Sequence, residues 1–339
     1  LFTSLYCYIA EWEGDIESVM RSNSKDASDL SFKEQFEAFQ GSYRPLWYCI
    51  AFILLTHFIV ARGVEKGIEK ASKVMMPALF VILLVMAVRV AFMPGATEGY
   101  RFFLSCDFAE AFKPETIMMA MGQAFFSLSV GMGCMVTYAS YFKKNNNLLS
   151  TSLNVSLLTI FVSVLAGLVI FPAVFSAGLE PTEGPSLVFV TLPEIFSGIP
   201  LASVWATAFF VLVALASLTS TISFHEVITA YISEEFKVGR WVSATITTLV
   251  SILLCTVTFF SLFGVDFFTL FDYLSANIIM PLGALITCII VMWFMKKEFM
   301  PGELTNHGSV NRAVTPLVLF MLKYVTPVLI FYIFIKNFL

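Results

Sequence analysis

The sequence predicts an all-α protein, a polytopic bundle of membrane-spanning helices, and three observations carry that prediction. Of 339 residues, 58% are hydrophobic and only 13% charged, about half the charged share of a soluble domain, and the mean hydropathy is +0.84. The apolar residues are gathered into blocks: 116–142, 145–179, 195–224, 241–265 and 273–295 contain no Asp, Glu, Lys or Arg over 27, 35, 30, 25 and 23 residues. A helix needs about 20 residues to cross a bilayer. These blocks are apolar on all sides, with Gly, Ser and Thr scattered inside, as fits helices bundled in lipid where small residues allow close approach. Soluble enzymes, disulfide scaffolds and nucleic-acid binders are excluded by the same numbers.

Taken in order, nine spans are expected at about 1–20, 45–61, 74–95, 116–142, 149–176, 200–232, 241–264, 272–295 and 314–335, all in one transmembrane domain over 1–339. The first is the poorest. The second and third are short and meet Arg62 and Arg89, long basic side chains that snorkel to the interface near a helix end. Loops 62–73, 143–148, 233–240 and 296–313 carry 11 of the 20 basic residues, whereas 21–44, 96–115, 177–199 and 265–271 carry 6 and are rich in acid. The first set is therefore expected on the cytoplasmic side, so the span at 116–142 runs inward. Segments 94–113 and 177–199 alternate turn formers with aromatic and aliphatic residues and are expected to form short helices lying on the bundle. Segment 21–37 is polar and reads as a mobile external loop.

The chemistry-bearing residues are few. Six cysteines are scattered without a Cys-x-x-Cys spacing and read as packing residues. His57, His225 and His307 have no partner at metal-ligand spacing. No nucleophile and base pair is found, so an enzyme is not expected. The informative stretch is Met121-Gly-Gln-Ala-Phe-Phe-Ser-Leu-Ser-Val-Gly-Met-Gly133, which sets Gln123, Ser127 and Ser129 among three glycines at mid-depth. Glycine weakens a helix interior by up to about 1 kcal/mol relative to Ala, and buried hydroxyls and amides need partners. This is either tight packing by small residues or a discontinuous helix whose freed backbone groups hold an ion and a substrate.

A second cluster, Ala216-Ser-Leu-Thr-Ser-Thr-Ile-Ser223, could give the Ala216 carbonyl, Thr219 and Ser220 to a small cation; the alternative is back-bonding of the hydroxyls to the preceding turn. Thr159 and Ser163 form an i, i+4 pair on one helix face. Asp272 reads either as an N-terminal helix cap or as half of a gating ion pair.

Gly122-Gln-Ala-Phe-Phe-Ser-Leu-Ser-Val-Gly-Met-Gly-Cys-Met-Val-Thr-Tyr-Ala-Ser-Tyr141 resembles the sixth helix of the neurotransmitter:sodium symporters, the sodium-dependent amino-acid transporters of bacteria and their animal relatives. Arg62-Gly-Val-Glu-Lys-Gly-Ile-Glu-Lys70 is similar to their fourth-to-fifth loop, Leu165-Ala-Gly-Leu-Val-Ile-Phe-Pro172 to the seventh helix and Leu218-Thr-Ser-Thr-Ile-Ser223 to the eighth. Asp272-Tyr-Leu-Ser-Ala-Asn277 resembles the tenth and Lys323-Tyr-Val-Thr-Pro327 the eleventh. The resemblance covers nearly the whole chain. It implies the LeuT-type fold of five-plus-five inverted repeats, with this chain supplying helices three to eleven and the first two lying outside it, so that Leu1 reads as interior to a helix.

The resemblance further implies an importer of an amino acid, coupled to Na+, in the plasma membrane, for a bacterium the inner membrane. Tyr6, Phe126, Ser129, Met132 and Phe224 would contact substrate, and Met132 and Phe224 favour a hydrophobic or aromatic one. Ser127 would serve the first sodium site, where Thr159 replaces the usual Asn or Asp; Ala216, Thr219 and Ser220 would serve the second. Gln123, Ser127 and Ser163 match the positions around chloride in chloride-dependent members, and the absence of a carboxylate at Ser163 makes Cl− a candidate second ion, which replacing chloride with gluconate would test. Asp272 matches the outer-gate aspartate. The expected partners are the amino-acid substrate and the lipid bilayer, with no nucleic acid. The rival reading is a non-transporting membrane receptor or a degenerate truncated homologue. The four acids of Glu11-Trp-Glu-Gly-Asp-Ile-Glu17 stand where relatives are mostly apolar, and nothing in the sequence explains them.

Overall fold

The computed structural model describes residue 39 and residues 42–336, apart from 106–107, 143–145, 179–186, 198–199, 261–266, 297 and 306–314. The expected span at 1–20, the loop at 21–37 and Tyr6 lie outside the described residues. The regular secondary structure among the described residues is all helical, without strands.

Helix α1 (Arg44–Ala61) starts with Pro45 in its first turn, where a missing N–H costs nothing. Gly63, at φ +93°, turns the chain into a π-helical stretch, Val64–Glu69, that runs on into α2 (Lys70–Ala91). There follow α3 (Ala96–Leu104), a single turn at Phe108–Ala111, α4 (Pro114–Ser127), α5 (Cys134–Ser140) and α6 (Leu148–Ser176). Then come α7 (Leu192–Ser197), α8 (Ala202–Glu235), α9 (Arg240–Phe259) and α10 (Phe267–Tyr273). The chain closes with α11 (Met280–Ile289), α12 (Phe299–Leu304), α13 (Thr315–Phe320) and α14 (Thr326–Lys336). Among the described residues, segments 94–113 and 177–199 thus hold short helices. Two π turns, Leu274–Ile279 and Met321–Val325, lie just before Pro281 and Pro327. A proline inside a continuous helix removes one i→i−4 donor, and a widened turn is one way to absorb the loss.

Among the described residues, 7 helical stretches are long and apolar enough to cross a membrane: Arg44–Ala61, Val64–Ala91, Leu148–Ser176, Ala202–Glu235, Arg240–Phe259, Thr269–Phe294 and Thr315–Tyr332. Their outward faces show Leu54, Phe58, Val88, Leu157, Leu249 and Leu253, side chains that water would not tolerate in such density but lipid does. The protein is a multi-pass membrane protein. The block 116–142 is absent from these stretches because its helix is interrupted.

The chain forms two compact units. In the first (residues 1–105, 162–225 and 232–256), Leu83, Met86 and Val90 of α2 pack with Leu165, Val169, Ala173 and Val174 of α6, Leu192, Ile195 and Phe196 of α7, and Ala206, Phe209 and Phe210 of α8. Helix α3 lies so close to α6 that a Cβ on Gly99 would come within 2.4 Å of Pro172 Cα. Helices α1 and α9 run antiparallel along a polar seam: Arg240 Nε donates to the Val60 carbonyl at 3.0 Å, and His57 meets Thr248 at 2.9 Å. The second unit (106–161, 226–231 and 257–339) holds α4, α5 and α10 to α14, with α11 packed on α14.

Candidate functional site

The span at 116–142 is a broken helix. Helix α4 stops at Ser127, α5 starts at Cys134, and Leu128–Gly133 between them leaves helical geometry at Ser129 (φ 51°), Gly131 (φ 82°) and Gly133 (φ 81°). Of the two sequence readings for Met121–Gly133, the structure takes the discontinuous helix. The stop is a Schellman motif: Val130 N–H donates to the Phe125 carbonyl at 3.0 Å and Ser129 N–H to the Phe126 carbonyl at 3.1 Å. Its left-handed position normally goes to glycine, because a Cβ costs roughly 1–2 kcal/mol there. Here it is Ser129, a polar side chain held in a strained backbone, which is a mark of functional sites.

The glycines of the break serve close approach as well as turning. A Cβ on Gly131 would stand 2.1 Å from the Met280 carbonyl oxygen, and one on Gly283 would stand 2.5 Å from the Gly131 carbonyl oxygen. The unwound segment therefore lies directly on the start of α11. Behind it is a cavity of about 370 Å³ lined by Phe125, Ser129, Val136, Thr287, Leu322 and Ile330 among others.

The predicted site residues fall as follows. On α4, Gln123 Nε2 donates to Ser127 Oγ at 3.1 Å, so amide and hydroxyl are already paired on one exposed helix face. Phe126 is exposed beside them, and Met132 lies in the break. On α6, Thr159 Oγ1 donates to the Val155 carbonyl at 2.9 Å, and Ser163 is exposed. On α8, Thr219 Oγ1 at 2.7 Å and Ser220 Oγ at 3.3 Å both donate to the Ala216 carbonyl. The three oxygens share one helical turn, and their hydroxyl protons go to the backbone, leaving hydroxyl lone pairs as the acceptors. Asp272 is the sixth residue of α10, so it does not cap the start of that helix; a cap residue would stand before Phe267.

Phe224, half exposed on α8, is followed by two buried polar residues to which the sequence assigned no role. His225 Nε2 and His57 Nδ1 both lie 2.9 Å from Thr248 Oγ1, which itself donates to the Ala244 carbonyl at 2.8 Å. With the single hydroxyl proton spent on a carbonyl, both imidazole nitrogens act as N–H donors, which fixes the two tautomers. This interior bridge ties α8 to α1 and α9 at the residue after Phe224. Glu226 is fully buried and accepts from the Tyr141 hydroxyl, just past the end of α5, at 2.6 Å. A carboxylate inside an apolar span is the signal that marks Glu226 in the sequence; its partner, 85 positions away, has none.

The chain as a whole is similar to known proteins. A family model described as the sodium:neurotransmitter symporter family matches residues 20–339. The chain is 35% identical over 348 residues to an uncharacterized sodium-dependent transporter of Bacillus subtilis (strain 168), YhdH, covering 99% of this chain and 76% of that protein. It is 34% identical over 304 residues to an uncharacterized sodium-dependent transporter of Haemophilus influenzae, covering 87% of this chain and 66% of that one. Among solved structures, MhsT in complex with L-phenylalanine is similar, with a TM-score of 0.82 and 32% identity over 99% of this chain and 75% of that chain. The chain thus spans about two thirds to three quarters of these relatives. The fold is the LeuT type expected from the motifs.

Proposed function

The chain belongs to the sodium:neurotransmitter symporter family, a family of sodium-dependent transporters rather than enzymes, and from that premise we propose that the whole protein imports a hydrophobic or aromatic amino acid together with Na+ by alternating access. The interrupted helix at Leu128–Gly133 carries the reading. Backbone freed from helical bonding at membrane depth is tolerated where it lines a cavity or is covered by protein, and secondary transporters hold ions and substrates at such breaks.

The proposed substrate contacts are Phe126, Ser129 and Met132 at the break, Phe224 on α8, and Tyr6. Phe126, Met132 and Phe224 have apolar side chains that suit an apolar substrate, and the solved relative holds L-phenylalanine. Ser127 and Thr159 are proposed for one sodium site; the Ala216 carbonyl, Thr219 and Ser220 are proposed for another. Neutral oxygens suit a hard monovalent cation and bury no further charge. Na+ bound preferentially to the outward-open form stabilises that form, and its gradient then drives the cycle, since a ligand shifts a conformational equilibrium by its differential affinity. Gln123, Ser127 and Ser163, all hydrogen-bond donors, are proposed to surround Cl−, and Asp272 to gate the outer side.

Uptake of each of the twenty amino acids by the complete protein in proteoliposomes tests the reading. Accumulation of an apolar or aromatic amino acid under an inward Na+ gradient, lost when K+ replaces Na+, is the expected result. Binding without Na+-dependent flux for any of the twenty overturns it and leaves a receptor. Replacing chloride with gluconate tests the anion separately: transport is expected to fall, and unchanged transport removes Cl− from the proposal.

A further inference from the structure

We propose that Cys49 and Cys255 form a redox-active dithiol that closes to a disulfide across the seam between α1 and α9. The two sulfurs lie 2.7 Å apart although the residues are 206 positions apart in sequence; a formed bond is about 2.05 Å long. The proximity follows from the whole seam. Moving along α1, Cys49 meets Cys255, His57 meets Thr248 and Val60 meets Arg240, one antiparallel register maintained from end to end. Both thiols are partly accessible, whereas Cys134 is buried and Cys288 spends its S–H on the Leu322 carbonyl at 3.0 Å.

The depth is right for oxidation. Cys49 follows the start of α1 at Arg44 by one and a half turns, and Cys255 precedes the end of α9 at Phe259 by one. At 1.5 Å per residue both lie roughly 6–8 Å from those helix ends. The loop charges assign these ends to the side opposite the cytoplasm, where disulfides persist.

The step is thiol–disulfide exchange with a disulfide oxidant. The thiolate of one cysteine attacks the oxidant's S–S bond, forming a mixed disulfide and releasing one thiol; the second cysteine displaces the other half as a second thiol. Two protein S–H bonds and one oxidant S–S bond become one protein S–S bond and two oxidant S–H bonds, so two electrons and two protons pass to the oxidant. Both cysteines belong to the same compact unit. The bond therefore staples that unit internally and constrains its unfolded chain over a long loop.

The complete protein in membranes is treated with oxidised glutathione, denatured, and its remaining thiols are tagged with a polyethylene-glycol maleimide. Oxidation is expected to remove two tags, to yield a linked pair of peptides containing Cys49 and Cys255 by mass spectrometry, and to be reversed by dithiothreitol. The thermal midpoint of the oxidised protein is expected to rise by several degrees, a rise that Cys49→Ala abolishes. The peptide map uses the unaltered chain, so it decides the matter even if a variant misfolds. An unchanged number of tags, or glutathione attached separately to each cysteine, overturns the proposal.

Discussion

The Tyr141 hydroxyl donates to Glu226 Oε1 at 2.6 Å, and Glu226 is 0% exposed. A carboxylate removed from water depends on such donors, since an acceptor left short of a partner costs its desolvation. Tyr141→Phe is therefore expected to lower stability by about 1–3 kcal/mol, read as a lower thermal midpoint in detergent. A second variant, Tyr141→Phe with Glu226→Leu, should regain part of the loss, because it also removes the buried carboxylate that has lost one of its donors.

The crossing of Gly131 and Gly283 predicts a contrast among glycines. Gly131→Ala and Gly283→Ala each drive a methyl into a backbone carbonyl, at 2.1 and 2.5 Å, and overpacking of this kind costs about 1–3 kcal/mol. Gly131→Ala carries in addition the left-handed backbone penalty. By contrast, a Cβ on Gly122 meets nothing within 4 Å inside α4, so Gly122→Ala is expected to stabilise by roughly 0.5–1 kcal/mol. Thermal unfolding of the three variants checks the order.

Ser129 trades stability for its side chain. Ser129→Gly relieves the φ of 51° and is expected to raise stability by up to about 1 kcal/mol. If Ser129 touches substrate as proposed, the same variant binds the transported amino acid more weakly. Stability and affinity moving in opposite directions is the expected outcome, measured by unfolding and by equilibrium binding on one preparation.

The Thr219 and Ser220 hydroxyls, among the described residues, bond to the Ala216 carbonyl of their own helical turn, and such back-bonds add little to a helix. Thr219→Val and Ser220→Ala are accordingly expected to leave the fold within about 0.5 kcal/mol of the parent. They should raise the Na+ concentration for half-maximal uptake tenfold or more. Unchanged Na+ dependence would remove the two hydroxyls from the sodium site.

Most of the helices are legible in the chain, because lipid demands about 20 apolar residues per crossing and this demand is written locally in composition. Some boundaries differ: α9 ends at Phe259 rather than near 264, and among the described residues α10 runs from Phe267, ahead of Asp272. The break in 116–142 is legible as an alternative, since its three glycines and two serines fit packing as well as interruption. The choice between them is tertiary: Gly131 leaves the helix where it meets the backbone of α11.

By itself the sequence determined the membrane-helical class, the family motifs and the local oxygens of Ala216, Thr219 and Ser220, which lie within one turn and need no long-range contact to meet. Only the tertiary structure decided which distant residues touch. Cys49 and Cys255, read from spacing as packing residues, face each other because α1 and α9 run antiparallel in one register. His57 and His225, with no partner at ligand spacing, share the Thr248 hydroxyl, and Glu226 finds Tyr141. The physical reason is the same in each case: apolar periodicity specifies that a helix is buried in lipid or protein, but the register between two helices is set by side-chain packing along the whole seam, which no single stretch of sequence contains.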